Sequence, residues 1–229
     1  MPGAILWEGA SQIDHQPIVV IATWNSRNRK TGDMLQTWIL RADISPLQAI
    51  ADGQDVSICG TCKHRKQPDT GKRSCYVNVG QAPNGCWKAY KRGSYDRADS
   101  IASIGMGRRV RLGAYGDPAA VPAHIWRKLI SLSLGHTGYT HQWKMAFAGA
   151  FRDLCMASVD NEEERDLAHA NGWRTFRVTP EVEDKGSLIS AGEVACPASA
   201  EQGARTQCAS CMLCAGTSKL AKSIAIAEH

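Results

Sequence analysis

The sequence predicts an α/β protein built on a parallel sheet, in the form of a reduced or partial (β/α) barrel. Three observations carry this. After residue 74, short β-like runs alternate with helical stretches, giving about five to seven βα units, and strands separated by helices pair in parallel. The chain has 229 residues, fewer than the roughly 250 of a complete eight-unit barrel. No GxGxxG follows the first of these strands, which disfavours a dinucleotide-binding version of the rival architecture, a doubly wound open sheet.

The elements follow in order. Residues 18–22 and 36–40 are β-branched, apolar runs and read as strands, joined by a turn over 27–33. They belong to an N-terminal β extension, 1–55, packed on the barrel-like domain, 56–229. Residues 75–79 read as a strand, 84–92 as a helix and 97–105 as a short helical piece. A strand over 110–115 ends at Gly116-Asp117-Pro118. Residues 122–134 read as a helix with Pro in its first turn and Ile125, Leu129 and Leu132 on one face. Gly135 and Gly138 stop it. A strand over 139–143, a helix over 145–154 and a strand over 155–159 come next. Asp160 is the expected N-cap of a helix over 162–171, whose first turn is acidic as the helix dipole prefers. The final strands are 173–178, 193–195 and 223–227, with a cysteine-rich loop over 196–214 between the last two.

Composition bounds the function. Hydrophobic residues make up 43% and charged residues 21%, which excludes disordered and collagen-like classes. The start has no basic segment followed by an apolar one, and the longest apolar run is far below the roughly 20 residues of a membrane span. The expectation is a cytoplasmic protein with no membrane partner and reduced cysteines. A net charge of +5 is mild, and the basic segment from Lys63 to Arg73 lacks interleaved aromatics, so nucleic acid is not the expected partner.

In parallel α/β folds ligands bind at the C-terminal strand ends. This singles out Asn78, Tyr115, Asp117, His141, Trp143, Lys144, Ser158, Asp160, Arg177 and Thr179. Alternation along 110–117 turns Arg111, Gly113, Tyr115 and Asp117 to the barrel interior, and along 173–179 it turns Thr175, Arg177 and Thr179 inward. An interior arginine needs a partner or an anionic ligand; pairing of Arg111 and Arg177 with Asp117 and Asp160 is the structural alternative.

Nine cysteines are more than packing needs, and eight fall into two groups. Cys196, Cys208, Cys211 and Cys214 form CxxCxxC with one distant member, the way iron–sulfur clusters are held. Zinc, and redox or unliganded thiols, are the alternatives. Cys59, Cys62, Cys75 and Cys86 form CxxC-x12-C-x10-C, which suits a zinc knuckle, a second cluster, or thiols in a basic loop. Cys155 is a small core residue.

The stretch Arg111-Leu-Gly-Ala-Tyr-Gly-Asp-Pro118 and the tail Cys196-Pro with Cys208-Ala-Ser-Cys211-Met-Leu-Cys214-Ala-Gly216 resemble the bacteriophage "gene product 88" family, from Ile58 to the end. That family is in turn similar to radical SAM barrels, where a cysteine loop follows an early strand and a Gly-Asp/Glu-Pro turn ends a later one. The resemblance implies a TIM-barrel-like fold, a bound iron–sulfur cluster ([4Fe–4S], with [3Fe–4S] the alternative) and residence in a host cytoplasm. The radical SAM signature CxxxCxxC does not occur in this chain, so cleavage of S-adenosylmethionine is not carried over.

Three functions follow as expectations. The first is an iron–sulfur enzyme using Lewis-acid (lyase or aldolase-type) or redox chemistry on a small anionic molecule, with Asp117, His141, Lys144 and Arg177 as acid–base and anion-binding groups. A Schiff base on Lys144 and a core role for His141 are weighed beside this. The second is a non-enzymatic redox or iron sensor, or a structural cluster. The third is a zinc-stabilised nucleic-acid-binding protein.

Overall fold

The computed structural model describes residues 3–24, 28–179 and 192–227. The chain opens with β1 (Gly3–Ala10), β2 (Pro17–Thr23) and β3 (Leu35–Arg41), an antiparallel meander in which Ala4 faces Ala22 and Val20 faces Ile39. Ile18 to Ala22 are fully buried, as in a strand covered on both faces. Arg27, at the start of the expected turn, and Pro180 lie outside the described residues.

The helices α1 (Pro46–Ala51), α2 (Val56–Cys59) and α3 (Ala82–Lys91) follow, then β4 (Asp96–Arg97), α4 (Ile101–Gly105), β5 (Arg109–Tyr115) and α5 (Ala123–Ile130). β6 (Gly135–Thr137) and β7 (Tyr139–Thr140) are separated by one residue. The chain continues through β8 (Met156–Val159), α6 (Glu162–Ala170), β9 (Thr175–Thr179), β10 (Glu193–Ala195), α7 (Cys208–Cys211) and β11 (Ser223–Ala227).

The strands form two sheets, ordered β4-β1-β2-β3-β5-β6 and β10-β11-β9-β8-β7. From β3 through β5 to β6, and throughout the second sheet, the pairing is parallel. The fold is therefore α/β with mixed and parallel sheets. Gly138 joins the two: its N–H donates to the Cys214 carbonyl at 2.9 Å, and a Cβ there would lie 2.8 Å from the Cys155 sulfur. Among the described residues the pairing runs from β4 to β10 without closing into a barrel. β1 to β3 continue the β5 sheet edge to edge, instead of sitting on its outside as an extension.

Several expected elements are shifted, each for a tertiary reason. Residues 75–78 form no strand and Val79 lies in a turn; the Arg73 guanidinium donates to the Cys75 and Val77 carbonyls at 3.0 and 3.3 Å. α5 stops at Ile130, because Leu134 donates to Arg108 at 2.8 Å to start β6, and Leu132 is left exposed. Residues 139–143 give only the two-residue β7, and 146–151 form a 3₁₀ helix. The N-cap of α6 is Asn161, whose Oδ1 accepts the Glu164 N–H at 2.8 Å. That leaves the Asp160 carboxylate available elsewhere.

The main core runs from Ile5 to Trp173 and includes the fully buried Leu112, Trp126 and Phe151. A smaller core joins Met156, Ile224 and Ile226 to Cys196 and Cys214. No helix among the described residues is long and apolar enough to cross a membrane.

Candidate functional site

One cavity of about 460 Å³ spreads over the sheet face of β5, β9 and β11 and reaches the ends of β5, β7 and β8. Cys59, Cys62 and Cys75 line it on one side, and Cys196, Cys208, Cys211 and Cys214 on another. The two cysteine groups, over 100 positions apart in the chain, share one space.

The tail set is built from local geometry. α7 is a single turn, so Cys208 and Cys211, three apart, lie on one face. Met212 at φ 52° then reverses the chain and brings Cys214 back. The loop is pinned at both ends. Cys208 donates to Lys30 at 2.8 Å, and Arg174 donates to the Leu213 and Gly216 carbonyls at 2.9 and 2.8 Å. Cys196 is held at the end of β10 by a 2.8 Å bond to Ala225. Burial pushes the Cys214 thiol up to about 12, with the Tyr139 hydrogen bond pulling the other way. Burial also raises Cys196 and Cys208, against the pull of Lys30 on both and of Arg111 on Cys208.

The early set hangs from the end of α2. Gly60 has φ 54° and ψ −125°, and a Cβ there would lie 2.2 Å from the Gln142 side chain, so only glycine fits. Gln142, nearly fully buried, accepts from the Thr61 N–H at 3.2 Å and donates to Cys59 and Asp117. Arg65 donates to Asp55 at 2.6 Å and to the Gly60 carbonyl at 3.0 Å. Cys75 donates its N–H to His64 at 3.0 Å. Burial, then the neighbouring Cys62 and Asp55, push the Cys59 thiol well up; burial pushes Cys62 up to about 12. The fourth expected member, Cys86, is elsewhere. It lies on α3 in the main core and bonds to the Tyr95 hydroxyl, so this set has three cysteines. Cys155 is fully buried core, as its apolar setting requires.

Of the expected catalytic residues, Asp117 and His141 line the cavity, whereas Lys144 and Arg177 do not. Asp117 is already engaged: its oxygens accept the N–H groups of Ala119 and His141 at 2.9 and 2.8 Å. It staples the Gly-Asp-Pro turn to the end of β7. His141 is half-buried; desolvation lowers its pKa against the pull of Asp117 and Asp160, and its Nε2 lies 3.7 Å from the Cys62 sulfur. Lys144 is half exposed and pairs with Glu164 at 2.6 Å on the surface. Arg177 pairs with Glu193 at 2.7 Å, on the opposite face of β9 from Phe176 and Val178, which line the cavity. The alternation on β9 is thus inverted. Thr175, Arg177 and Thr179 form the strand's buried face, packed against α6, and Phe176 and Val178 form its half-buried cavity face. On β5, Arg111, Gly113, Tyr115 and Asp117 line the cavity as expected, and so do Ala114, expected on the other face, and Gly116.

Arg111 pairs with neither Asp117 nor Asp160. Its hydrogen bond is to the Tyr76 hydroxyl at 2.5 Å, and Cys208 and Tyr139 are its other electrostatic neighbours. Among the described residues Lys30, Arg73 and Arg111 have no carboxylate within ion-pair distance. The basic segment from Lys63 onward turns inward: Lys63 reaches Asp160, Arg65 reaches Asp55 and Arg73 reaches backbone carbonyls.

Sequence reasoning missed Gln142, Tyr139, Lys30 and His64. The signal for His64 was its place two residues after Cys62 in the loop; nothing local marked the others.

The donor sets can be tested against a metal group. Three thiolates on one zinc at 2.3 Å lie about 3.8 Å apart. Among the described residues no three cysteine sulfurs lie within 4.8 Å of one another, so neither set is spaced for a single ion. A polynuclear cluster spreads its ligands more widely. The Tyr115 hydroxyl adds a second observation. It is buried with no hydrogen-bond partner among the described residues, and Cys59, Asp55, Arg73 and Cys75 are its electrostatic neighbours. An acceptor group seated on the three cysteines would satisfy it.

The chain matches no family model, no curated protein and no solved structure.

Proposed function

We propose that this chain is an iron–sulfur enzyme with two cluster sites facing one cavity. Cys196, Cys208, Cys211 and Cys214 would hold one cluster with every iron closed. Cys59, Cys62 and Cys75 would hold a second and leave one position open toward the cavity. The observation that carries this is the shared cavity with seven cysteines on its walls, three on one side and four on the other. A cluster, when bound, supplies single electrons, and an iron with an open position supplies a Lewis acid.

The remaining residues do the work of a binding pocket. Phe176, Val178, Leu213 and Ile226 provide apolar walls that exclude water. Lys30, Arg73 and Arg111 offset the negative charge of bound thiolates and favour a small anionic ligand. Tyr139, bonded to Cys214, and Tyr115, beside Cys59 and Cys75, offer hydroxyl donors, one to each cluster site. The linked sheets read as a partial, TIM-barrel-like (β/α) arrangement. This agrees with the fold that the resemblance to the phage family implies, whereas the spacing of Cys59, Cys62 and Cys75 departs from the radical SAM signature CxxxCxxC.

The test is anaerobic reconstitution followed by iron, sulfide and zinc analysis. Two [4Fe–4S] clusters give about eight irons per chain. About half should be lost in Cys59→Ala or Cys75→Ala, the other half in Cys208→Ala or Cys211→Ala, and none in Cys86→Ala. Stoichiometric zinc without iron would sink the proposal. The non-enzymatic alternative predicts that no small molecule perturbs the EPR signal of the reduced three-cysteine cluster.

A further inference from the structure

We propose that His64, His141 and Asp160 form a separate site for one divalent transition-metal cation on the wall of the cavity. Three segments converge there. His64 follows the CxxC turn, His141 follows β7 and Asp160 follows β8, so two donors stand at the C-terminal ends of adjacent parallel strands. His64 Nε2 lies 3.2 Å from Asp160 Oδ1, and one donor atom from each of the three residues falls within 4.8 Å of the others. Ligands at 2.0–2.2 Å from one ion lie about 3–3.6 Å apart, so closure needs only side-chain adjustment.

His64 is held from behind, as metal ligands are, and backbone hydrogen bonds fix the main chain at Asp160 and His141. His64 Nδ1 bonds to Ser74 Oγ at 2.8 Å, which aims Nε2 at Asp160. The Asp160 N–H donates to Glu164 at 3.1 Å, and the His141 N–H to Asp117 at 2.8 Å. The present counter-ion of Asp160 is Lys63, at 3.4 Å, whose side chain is 56% exposed and free to swing away. Two imidazoles and one carboxylate suit Fe(II), Mn(II), Co(II) or Zn(II) over Ca(II) or Mg(II). His64 and His141 both line the cavity, so the remaining coordination positions face it. Cys62, 3.7 Å from His141, borders this site while remaining with Cys59 and Cys75.

Mn(II) is the probe, because it favours nitrogen and oxygen donors over thiolates. The full chain is titrated anaerobically and bound Mn(II) is read as loss of the free-ion EPR signal. The expected result is one saturable equivalent, displaced by one equivalent of Zn(II). Binding should weaken at least about 100-fold in Asp160→Asn and His64→Gln, and stay unchanged in Cys75→Ala. Lys63→Ala removes the competing cation and should tighten binding about threefold, without touching a ligand. Absence of saturable uptake, equal uptake in Asp160→Asn, loss in Cys75→Ala, or unchanged or weaker binding in Lys63→Ala would each overturn the site.

Discussion

The Gln142 side-chain amide donates to the Cys59 carbonyl at 3.1 Å, across 83 positions of chain. This bond ties the turn after β7 to the turn that carries Cys59 and Cys62, and so sets one wall of the cavity.

Gln142→Ala should therefore act on both stability and metal content. It strips partners from the Thr61 N–H and the Cys59 carbonyl, both part-buried hydrogen bonds, a cost of about 1–3 kcal/mol. Denaturant titration reads the loss. Reconstituted iron should fall at the early cysteine set and hold at the tail set; equal loss at both sets would contradict the assignment.

Gly60→Ala meets two obstacles, a left-handed φ and the Gln142 side chain. The expected cost is about 2 kcal/mol from backbone strain alone, with the clash in addition. In the Gly60→Ala, Gln142→Ala double variant the clash disappears and the strain remains. The two effects should thus sum to more than the measured double effect, and strict additivity would show that the close approach is harmless.

Arg177→Met breaks a buried ion pair and leaves Glu193 its more distant ion pair with Arg165, at 3.6 Å. A loss of about 3 kcal/mol is expected, recovered in large part by Arg177→Met with Glu193→Leu. Iron content per folded chain should not change in either variant. A drop in cluster loading at unchanged stability would return Arg177 to the site.

Lys144→Met removes a half-exposed pair with Glu164. Surface pairs of this kind contribute about 0–1 kcal/mol, so the melting temperature should barely move. Borohydride with carbonyl compounds should trap no adduct on Lys144; an adduct detected by mass spectrometry would reverse that.

His136 supplies a pH signature. Burial lowers its pKa from 6.5, and its Nε2 has no hydrogen-bond partner among the described residues. A depressed folded pKa means the unfolded chain binds the proton more readily. The contribution is present above 6.5 and is lost as pH falls through the folded value. Thermal midpoints of the wild type should therefore fall below pH 6.5 more steeply than those of His136→Leu, and parallel curves would count against it.

The sequence by itself determined the local structure and the chemistry available. β-branched runs marked β2 and β3, and an acidic first turn marked α6. Strict alternation placed Arg111 and Tyr115 on the inner face of β5, because one side of that strand meets solid core. Cysteine spacing marked the tail set, since α7 and the reversal that brings back Cys214 need only seven consecutive residues, 208–214. Tertiary structure alone decided the rest. Cys86 left its group because α3 packs into the main core and carries it there. Arg177 turned away because Glu193 and α6 cover the polar face of β9 while its apolar face lines the cavity; alternation separates the two faces but does not say which one meets the cavity. The meeting of the two cysteine sets, and of His64 with Asp160, depends on Gly138 passing one continuous strand from the first sheet to the second. That is a long-range packing event, and no short window of sequence encodes it.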